Sequence, residues 1–250
     1  MSAFPPASSH DRPETGIMIL SHTHRFIFLK TSKTAGTSIE IALSRFCGPD
    51  DIVTPVSVED EDIRKSVGGR PSQAYPAKKT QYGPADYFRY WFKGKEKQYF
   101  YNHIPARKLK RRLEPEIWQH YYRFCVVRNP WDRVISQYFW RYRSLPEDQW
   151  PSLDEFLSSR HLRSLTRKGY NLYTINGEVQ VNRICRYENI AEDLETVRQE
   201  LGLPEPLTLP GAKAGHRKDN RHYRDIFTPR QRDRVAALFA EEIRLMNYTF

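Results

Sequence analysis

One stretch of the chain changes character abruptly, and this change constrains the fold more than any other feature. Phe26 to Leu29 are four consecutive apolar residues, the pattern of a buried strand. Small and hydroxyl-bearing residues follow around Gly36, and helix-forming residues begin at Ile39. This order predicts a strand, a tight loop and the start of a helix. Because a helix N-terminus offers unpaired backbone N–H groups and partial positive charge, the loop is suited to holding a phosphate.

Four side chains of this loop, Lys30, Lys33, Thr37 and Ser38, favour an anionic ligand. The loop differs from the triphosphate-binding loop of kinases and GTPases, which reads Gly, four residues, then Gly-Lys-Ser/Thr. Here Lys33 precedes Gly36, and the hydroxyl pair follows the glycine directly. A magnesium-dependent NTPase is therefore disfavoured, whereas phosphate binding and a plain strand-to-helix turn both remain open.

Strand and helix patterns alternate along the rest of the chain. Strands are predicted at 52–53, 98–102, 122–127 and 179–185, and helices at 58–67, 106–113, 131–143, 153–159, 190–201 and 229–248. The alternation predicts an α/β fold in which helices flank a mainly parallel, doubly wound central sheet. We expect a single domain over residues 16–250, preceded by a loose, proline-containing N-terminal arm at 1–15.

The charge balance limits the partners. Forty Lys and Arg residues against thirty Asp and Glu residues give a net charge of +10. This excess favours an anionic ligand, a polyanionic substrate, nucleic acid or an acidic surface. The N-terminal residues lack the pattern of a signal peptide, and their apolar pieces are too short to span a bilayer. We therefore expect a cytoplasmic protein without stable membrane insertion.

The three cysteines, Cys47, Cys125 and Cys185, lie far apart in apolar surroundings. They lack the paired spacing of metal ligands or disulfides, so we expect reduced core residues. The sequence presents no convincing cluster of ligand-type residues, and no metal is predicted.

A second predicted strand ends in an arginine. Arg128 follows the strand at 122–127, and Ser136 lies two helical turns into the next helix. Ligands of α/β proteins usually bind at the carboxyl ends of the strands, so both side chains are placed to hold one anion. The alternative is that Arg128 pairs with a surface carboxylate.

Residues 72–97 interleave seven aromatic residues with six cations. Aromatic residues at helical spacing usually pack on a core, which predicts a core-capping helix with a solvated cationic face. Aromatic rings together with cations also suit sugars and anions, which predicts a flap over an acceptor. The sequence leaves both interpretations open.

These segments together resemble the PAPS-dependent sulfotransferases, especially the carbohydrate branch that includes heparan 2-O-like and bacterial enzymes. Residues 27–38, Ile-Phe-Leu-Lys-Thr-Ser-Lys-Thr-Ala-Gly-Thr-Ser, resemble the family's 5′-phosphosulfate loop, with Ser32 in place of its proline. Residues 127–138 resemble its 3′-phosphate motif, Arg-x-Pro-x-x-Arg-x-x-Ser-x-Tyr. Residues 182–194 and 227–250 are similar to later family segments. The resemblance implies the family's α/β fold, which is related to that of the P-loop NTPases.

The resemblance also implies which residues hold the donor PAPS and its product PAP. The 5′-phosphosulfate would lie against Lys33, Thr34, Ala35, Gly36, Thr37 and Ser38, and the 3′-phosphate against Arg128 and Ser136. Lys33 would stabilise the charge that builds on the oxygen between phosphorus and sulfur. Arg217 and Lys218, in a basic stretch before the last helix, would contact the adenosine end. A solvated basic loop is the alternative for these two residues.

The acceptor hydroxyl needs a general base, and His103 is the candidate. It follows the predicted strand at 98–102, at a strand end that faces the cleft in this architecture. Residues 102–105, Asn-His-Ile-Pro, are similar to a Gly-His-x-Pro segment that holds the base in the carbohydrate branch, with Asn102 in place of glycine. A structural histidine is the alternative.

The resemblance implies an enzyme that moves a sulfuryl group from PAPS to a hydroxyl, and we expect the acceptor to be a carbohydrate or glycolipid. An alternative keeps the donor and changes the acceptor to a protein tyrosine, phenol or small alcohol, with residues 72–97 setting the choice. A nucleic-acid-binding protein would also explain the net charge of +10 and the interleaved basic and aromatic residues. That alternative lacks a recognisable nucleic-acid motif, so we expect no nucleic-acid partner.

Overall fold

The computed structural model describes residues 18–73, 79–94, 96, 99–101, 103–211 and 221–250. Within these residues the strands are β1 (Ile19–Ser21), β2 (Phe26–Leu29), β3 (Ile52–Val53), β4 (Tyr122–Val127), β5 (Thr174–Ile175), β6 (Glu178–Val179) and β7 (Arg183–Arg186). The helices are α1 (Gly36–Ser44), α2 (Val58–Ser66), α3 (Pro84–Lys93), α4 (Ala106–Lys110), α5 (Pro115–His120), α6 (Pro130–Tyr142), α7 (Leu153–Ser158), α8 (Arg160–Arg167), α9 (Tyr170–Tyr173), α10 (Ile190–Glu200), α11 (Pro229–Leu238) and α12 (Ala240–Met246). None of the helices in the described ranges is both long and apolar enough to cross a membrane. The N-terminal arm predicted at 1–15 lies outside these ranges.

The central sheet contains five of the described strands, in the order β3-β1-β2-β4-β7. β2 pairs with β4, and β4 with β7, in parallel. β1 is antiparallel to both of its neighbours, so the other four strands share one direction. The predicted α/β fold, with helices flanking a mainly parallel central sheet, is confirmed.

Alternate residues of the central strands enter cores on opposite faces of the sheet. Ile27 of β2 and Cys125 of β4 belong to one core. Phe28 and Phe124 belong to the other, where their ring centres are 5.0 Å apart. All four side chains are fully buried. Burial on both faces explains why β2 is apolar throughout rather than alternating with polar residues.

The register of β2 against β4 places two strand ends side by side. Leu29, the last residue of β2, pairs with Cys125, and β4 continues to Val127. Because the strands are parallel, the loop after Leu29 and the residue after Val127, Arg128, leave the same edge of the sheet. This edge is where the sequence predicted two anion sites.

The predicted strand at 98–102 was wrong for the part that the structure describes, because residues 99–101 form no strand. Phe100 is buried in a core instead. The Arg112 guanidinium lies 4.9 Å from the ring centre of Tyr99 and 5.3 Å from that of Tyr101. The aromatic character that suggested a strand therefore serves packing and cation–π contacts.

Two other predicted elements are divided in the structure. Asn176 and Gly177 have φ of 53° and 85° and turn β5 back into β6, as two-residue hairpin turns require. Of the region predicted as one strand, 179–185, only residues 183–185 join the central sheet, as part of β7. The predicted helix at 229–248 breaks at Phe239, whose φ of −115° and ψ of 20° leave the helical range while its ring packs under Arg133.

Helix α3 forms inside the aromatic segment at 72–97 but does not cap the core. All ten of its residues are described, and none is buried. The core-capping interpretation is therefore wrong for α3, while the acceptor flap stays a prediction. Residues 74–78, 95 and 97 of this segment lie outside the described ranges.

The three cysteines are free and buried, as the sequence predicted. Burial raises the pKa of the Cys185 thiol to about 12 and raises that of Cys125 well above its ordinary value. A thiol that remains protonated at neutral pH is a poor nucleophile and a poor metal ligand. These cysteines therefore act as core residues.

Candidate active site

The loop between β2 and α1 has an unusual backbone. Lys33 and Ala35 both adopt left-handed angles, with φ of 66° and 56°, which are uncommon outside glycine. Left-handed residues in a turn gather successive N–H groups into a concave, anion-binding array. α1 begins at Gly36 with Ala35 as its N-cap, and alanine has no polar side chain that caps a helix. An anion held in this loop would supply the cap.

Hydroxyl groups inside the loop hold its shape. The Thr31 hydroxyl lies 3.0 Å from that of Thr34 and donates to the Val126 carbonyl of β4. The Thr34 hydroxyl also lies 3.2 Å from the Thr31 carbonyl. The N–H of Ser32 donates to the Lys168 carbonyl at 3.0 Å, which ties the loop to α8. Because the buried Thr34 hydroxyl bonds within the loop, its backbone N–H is the group that would contact an anion.

The buried side chain of Lys30 supports the loop. It is only 8% exposed, and its Nζ donates to the Thr37 hydroxyl at 2.8 Å and lies 3.9 Å from the Glu40 carboxylate. Glu40 in turn pairs with the buried Arg64 at 3.1 Å. Gly36 makes room for this lysine, since a Cβ at Gly36 would lie 2.5 Å from Lys30 Cγ. Lys30 was predicted to be one of the loop cations that favour an anionic ligand, whereas in the structure it supports Thr37.

Arg128 connects the second strand end to the loop. Its Nη1 donates to the Lys33 carbonyl at 3.3 Å. Its Nε and Nη2 lie 2.8 Å and 2.7 Å from Oδ2 of Asp132, and its guanidinium lies 4.1 Å from the ring centre of Tyr187. Arg128 therefore pairs with a carboxylate, as the alternative to anion binding predicted. It also contacts the loop after β2, where the anion-binding interpretation places it.

The Lys33 side chain extends toward α6. Its Nζ lies 4.8 Å from the ring centre of Trp140, within the range of a cation–π contact. Trp140 follows Ser136 by one helical turn, so both residues lie on the same face of α6. The structure thus brings Lys33, Arg128 and the half-buried Ser136 to one region at the carboxyl ends of β2 and β4.

His103 contacts the start of the same loop. Its Nδ1 lies 2.8 Å from the Lys30 carbonyl oxygen. Because a carbonyl oxygen only accepts, Nδ1 carries the proton of this hydrogen bond. In the neutral imidazole Nε2 is then unprotonated and able to accept a proton. His103 also has a left-handed φ of 49°, a strained backbone of the kind that clusters at active sites.

Three residues singled out in the sequence, Asn102, Arg217 and Lys218, lie outside the described ranges. For the part of the chain that is described, no group of three or more His, Cys, Asp or Glu side chains is arranged to hold a metal ion. The side chains that converge on the loop are the cations Lys33 and Arg128 together with His103. This composition suits an anion and a proton acceptor side by side.

Fold and site together define an α/β protein in which two neighbouring parallel strands end beside a loop that carries Lys33 and is contacted by Arg128. The comparisons with known proteins agree with this class. A sequence model described as the sulfotransferase family matches residues 17–249. Since the match covers nearly the whole chain, the protein belongs to the sulfotransferase family, as its sequence motifs predicted.

An uncharacterized protein of Archaeoglobus fulgidus is 33% identical to this chain over 107 residues, which are 42% of this chain and 88% of the archaeal protein. No solved structure gives a significant match.

Proposed function

We propose that this sulfotransferase uses PAPS as its donor and transfers the sulfuryl group to a hydroxyl of a carbohydrate or glycolipid, with PAP as the product. The contact between Arg128 and the Lys33 carbonyl carries the proposal, because it joins the two strand ends. PAPS bears a phosphosulfate at its 5′ end and a phosphate at its 3′ position, so it needs two anion sites at a fixed separation. Residues 33–38 are assigned to the first anion, and Arg128 with Ser136 to the second.

The loop binds the phosphosulfate through backbone and side-chain donors. We assign the N–H groups of Thr34, Ala35, Gly36, Thr37 and Ser38 to its oxygens. The Lys30 ammonium only donates, so the Thr37 hydroxyl accepts from it and directs its own proton elsewhere. When PAPS binds, we assign the Thr37 hydroxyl to a phosphosulfate oxygen. Lys30 thereby orients Thr37 without contacting the donor.

The transfer step needs a proton acceptor and a site for the departing charge. His103 takes the proton of the acceptor hydroxyl on Nε2 while Nδ1 keeps its hydrogen bond to Lys30. The hydroxyl oxygen forms a bond to sulfur, and the bond from sulfur to the bridging phosphate oxygen breaks. The electron pair of that bond remains on the phosphate oxygen, where Lys33 stabilises it. Lys33 leaves its position over Trp140 to do so.

The donor and the acceptor are tested together by incubating the protein with PAPS labelled in its sulfuryl group. The acceptor panel contains oligosaccharides, glycolipids, tyrosine peptides, phenols and small alcohols. We expect label on a carbohydrate or a glycolipid. Label only on a tyrosine peptide, a phenol or an alcohol would retain the donor and overturn the acceptor. Label on no acceptor, with no binding of PAP, would overturn the donor.

A further inference from the structure

Helix α3 carries an exposed aromatic stripe made of Phe88, Trp91 and Phe92. Residues three and four positions apart share one face of a helix. Phe88 is 57% exposed, and Trp91 and Phe92 are each 72% exposed. The rings of Phe88 and Phe92 pack on each other with centres 4.6 Å apart. Large aromatic side chains clustered in this way on a surface mark an interaction site.

The other side of α3 is attached to the preceding segment. The Tyr87 hydroxyl donates to the Lys79 carbonyl at 3.0 Å, and the Lys79 ammonium donates to the Tyr90 hydroxyl at 3.2 Å. The ring of Tyr82 lies 5.3 Å from that of Tyr87 and 6.2 Å from that of Tyr90, centre to centre. Tyrosines thus fix one face of the helix, and the aromatic stripe is presented on another.

Cations accompany the aromatic stripe. Arg89 and Lys93 are exposed and follow Phe88 and Phe92 directly in sequence, so they flank the stripe on one side. Asp86 is the only acidic residue of the helix, and it accepts the Gly83 N–H at 3.0 Å at the helix start. Exposed Trp and Phe beside Arg and Lys are the composition of helices that lie in the interface of an anionic membrane.

We propose that α3 binds the surface of an anionic phospholipid bilayer, with the aromatic stripe at the acyl boundary and Arg89 and Lys93 at the headgroups. The net charge of +10 attracts the whole protein to such a surface. A protein partner is a poorer occupant, because a stable interface buries about 800 Å² on each side and three side chains supply a small part of that. The inference does not depend on the identity of the sulfuryl donor.

The test measures co-sedimentation of the full chain with phosphatidylcholine vesicles prepared with and without phosphatidylglycerol. The double variant Trp91→Gln with Phe92→Gln removes most of the stripe. The matched control is Leu145→Gln with Leu245→Gln, at two exposed apolar residues elsewhere. A second pair, Arg89→Gln with Lys93→Gln, is compared with Arg163→Gln with Arg230→Gln, which lowers the net charge equally. Circular dichroism checks that each variant is folded.

We expect the wild type to pellet with the anionic vesicles, and the aromatic double variant to bind them about tenfold or more weakly. The variant with both α3 cations removed should weaken more than its equally charged control. Equal pelleting of the Trp91→Gln, Phe92→Gln variant and the wild type would overturn the proposal. A self-association that this variant abolishes, without vesicle binding by the wild type, would also overturn it and assign the stripe to a second copy of the chain.

Discussion

Nη1 of Arg128 donates a hydrogen bond to the carbonyl oxygen of Lys33 at 3.3 Å. The two residues follow different parallel strands, and the register of those strands sets them side by side. Each residue begins a segment that the sequence resemblance assigned to a different end of PAPS. The contact therefore fixes the distance between the two proposed anion sites, and each of the predictions about the donor depends on it.

Replacing Lys33 with methionine should lower the turnover of PAPS by about 100-fold or more, since the variant loses the cation that stabilises the departing phosphate oxygen. The free energy of unfolding should change little, because Lys33 is only half-buried and the methionine side chain can keep a contact with the Trp140 ring. Steady-state transfer of labelled sulfuryl groups and urea denaturation measure the two quantities.

Two lysine variants serve as comparisons for Lys33→Met. Lys110→Met changes an exposed lysine of α4 and should leave the turnover unchanged. Lys30→Met removes the partner of Thr37 and Glu40, so it should lower the free energy of unfolding as well as the turnover. Near-normal turnover in Lys33→Met would refute its proposed role.

Replacing His103 with glutamine should lower kcat by about 100-fold or more, because glutamine cannot accept the proton, while PAP binds unchanged. An imidazole must be neutral to act as a base, so the wild-type rate should fall as the pH is lowered and the imidazole becomes protonated. The residual rate of His103→Gln should not show this fall at low pH. His120→Gln, at an exposed histidine, is the control and should keep the wild-type profile. A His103→Gln enzyme with the wild-type kcat contradicts the assignment.

Gly36→Ala should destabilise the loop. The new Cβ would lie 2.5 Å from Lys30 Cγ and 2.8 Å from Lys30 Cε, so the buried lysine would have to leave Thr37. Overpacking of this kind costs about 1–3 kcal/mol, and the affinity for PAP should fall with it. Gly83→Ala is the control, because the nearest atom to its Cβ, Asp86 Oδ2, is 3.7 Å away. Equal denaturation midpoints for the two variants would exclude a clash at Gly36.

The buried ion pair of Arg133 and Glu242 should contribute strongly to the free energy that holds the C-terminal helices on the rest of the fold. Both side chains are almost fully buried, and the two hydrogen bonds between them measure 3.1 Å and 2.7 Å. Glu242→Gln leaves the guanidinium without its countercharge and should cost about 3 kcal/mol or more of unfolding free energy. Glu241→Gln breaks the exposed pair with Arg244 and should cost less than about 1 kcal/mol. Similar losses in both variants, measured by urea denaturation, would contradict this account.

The parts of the fold that were predicted correctly are determined by residues that lie close together in the sequence. The apolar run of β2, the small residues of the loop and the start of α1 lie within about twenty residues, and so their order is visible without tertiary contacts. Arg128 was found for the same reason, since a strand pattern directly precedes it. The hairpin at Asn176 and Gly177 was missed although an Asn-Gly pair is a strong turn signal.

Features that depend on contacts between distant residues could not be predicted in this way. Residues 99–101 have the composition of a strand, yet Tyr99 and Tyr101 lie against the distant Arg112 and Phe100 is buried in a core. Lys30 lies in a sequence pattern that is typical of a ligand-binding lysine. Its contact with Glu40, however, makes it a structural support of the loop. The tautomer of His103 follows from a carbonyl that lies 73 residues away in the chain.

The central claim is that one donor spans both strand ends, and calorimetric titration with PAP and with adenosine 5′-phosphate tests it most directly. PAP should bind about 10- to 100-fold more tightly, because we assign to Arg128 a charge-assisted bond to the 3′-phosphate that adenosine 5′-phosphate lacks. Arg128→Gln should lower the affinity for PAP more than that for adenosine 5′-phosphate and so remove most of the difference, whereas Arg160→Gln, at an exposed arginine, should keep the difference. Equal affinities of the wild type for the two nucleotides, or a preference for PAP that survives in Arg128→Gln, would contradict the account.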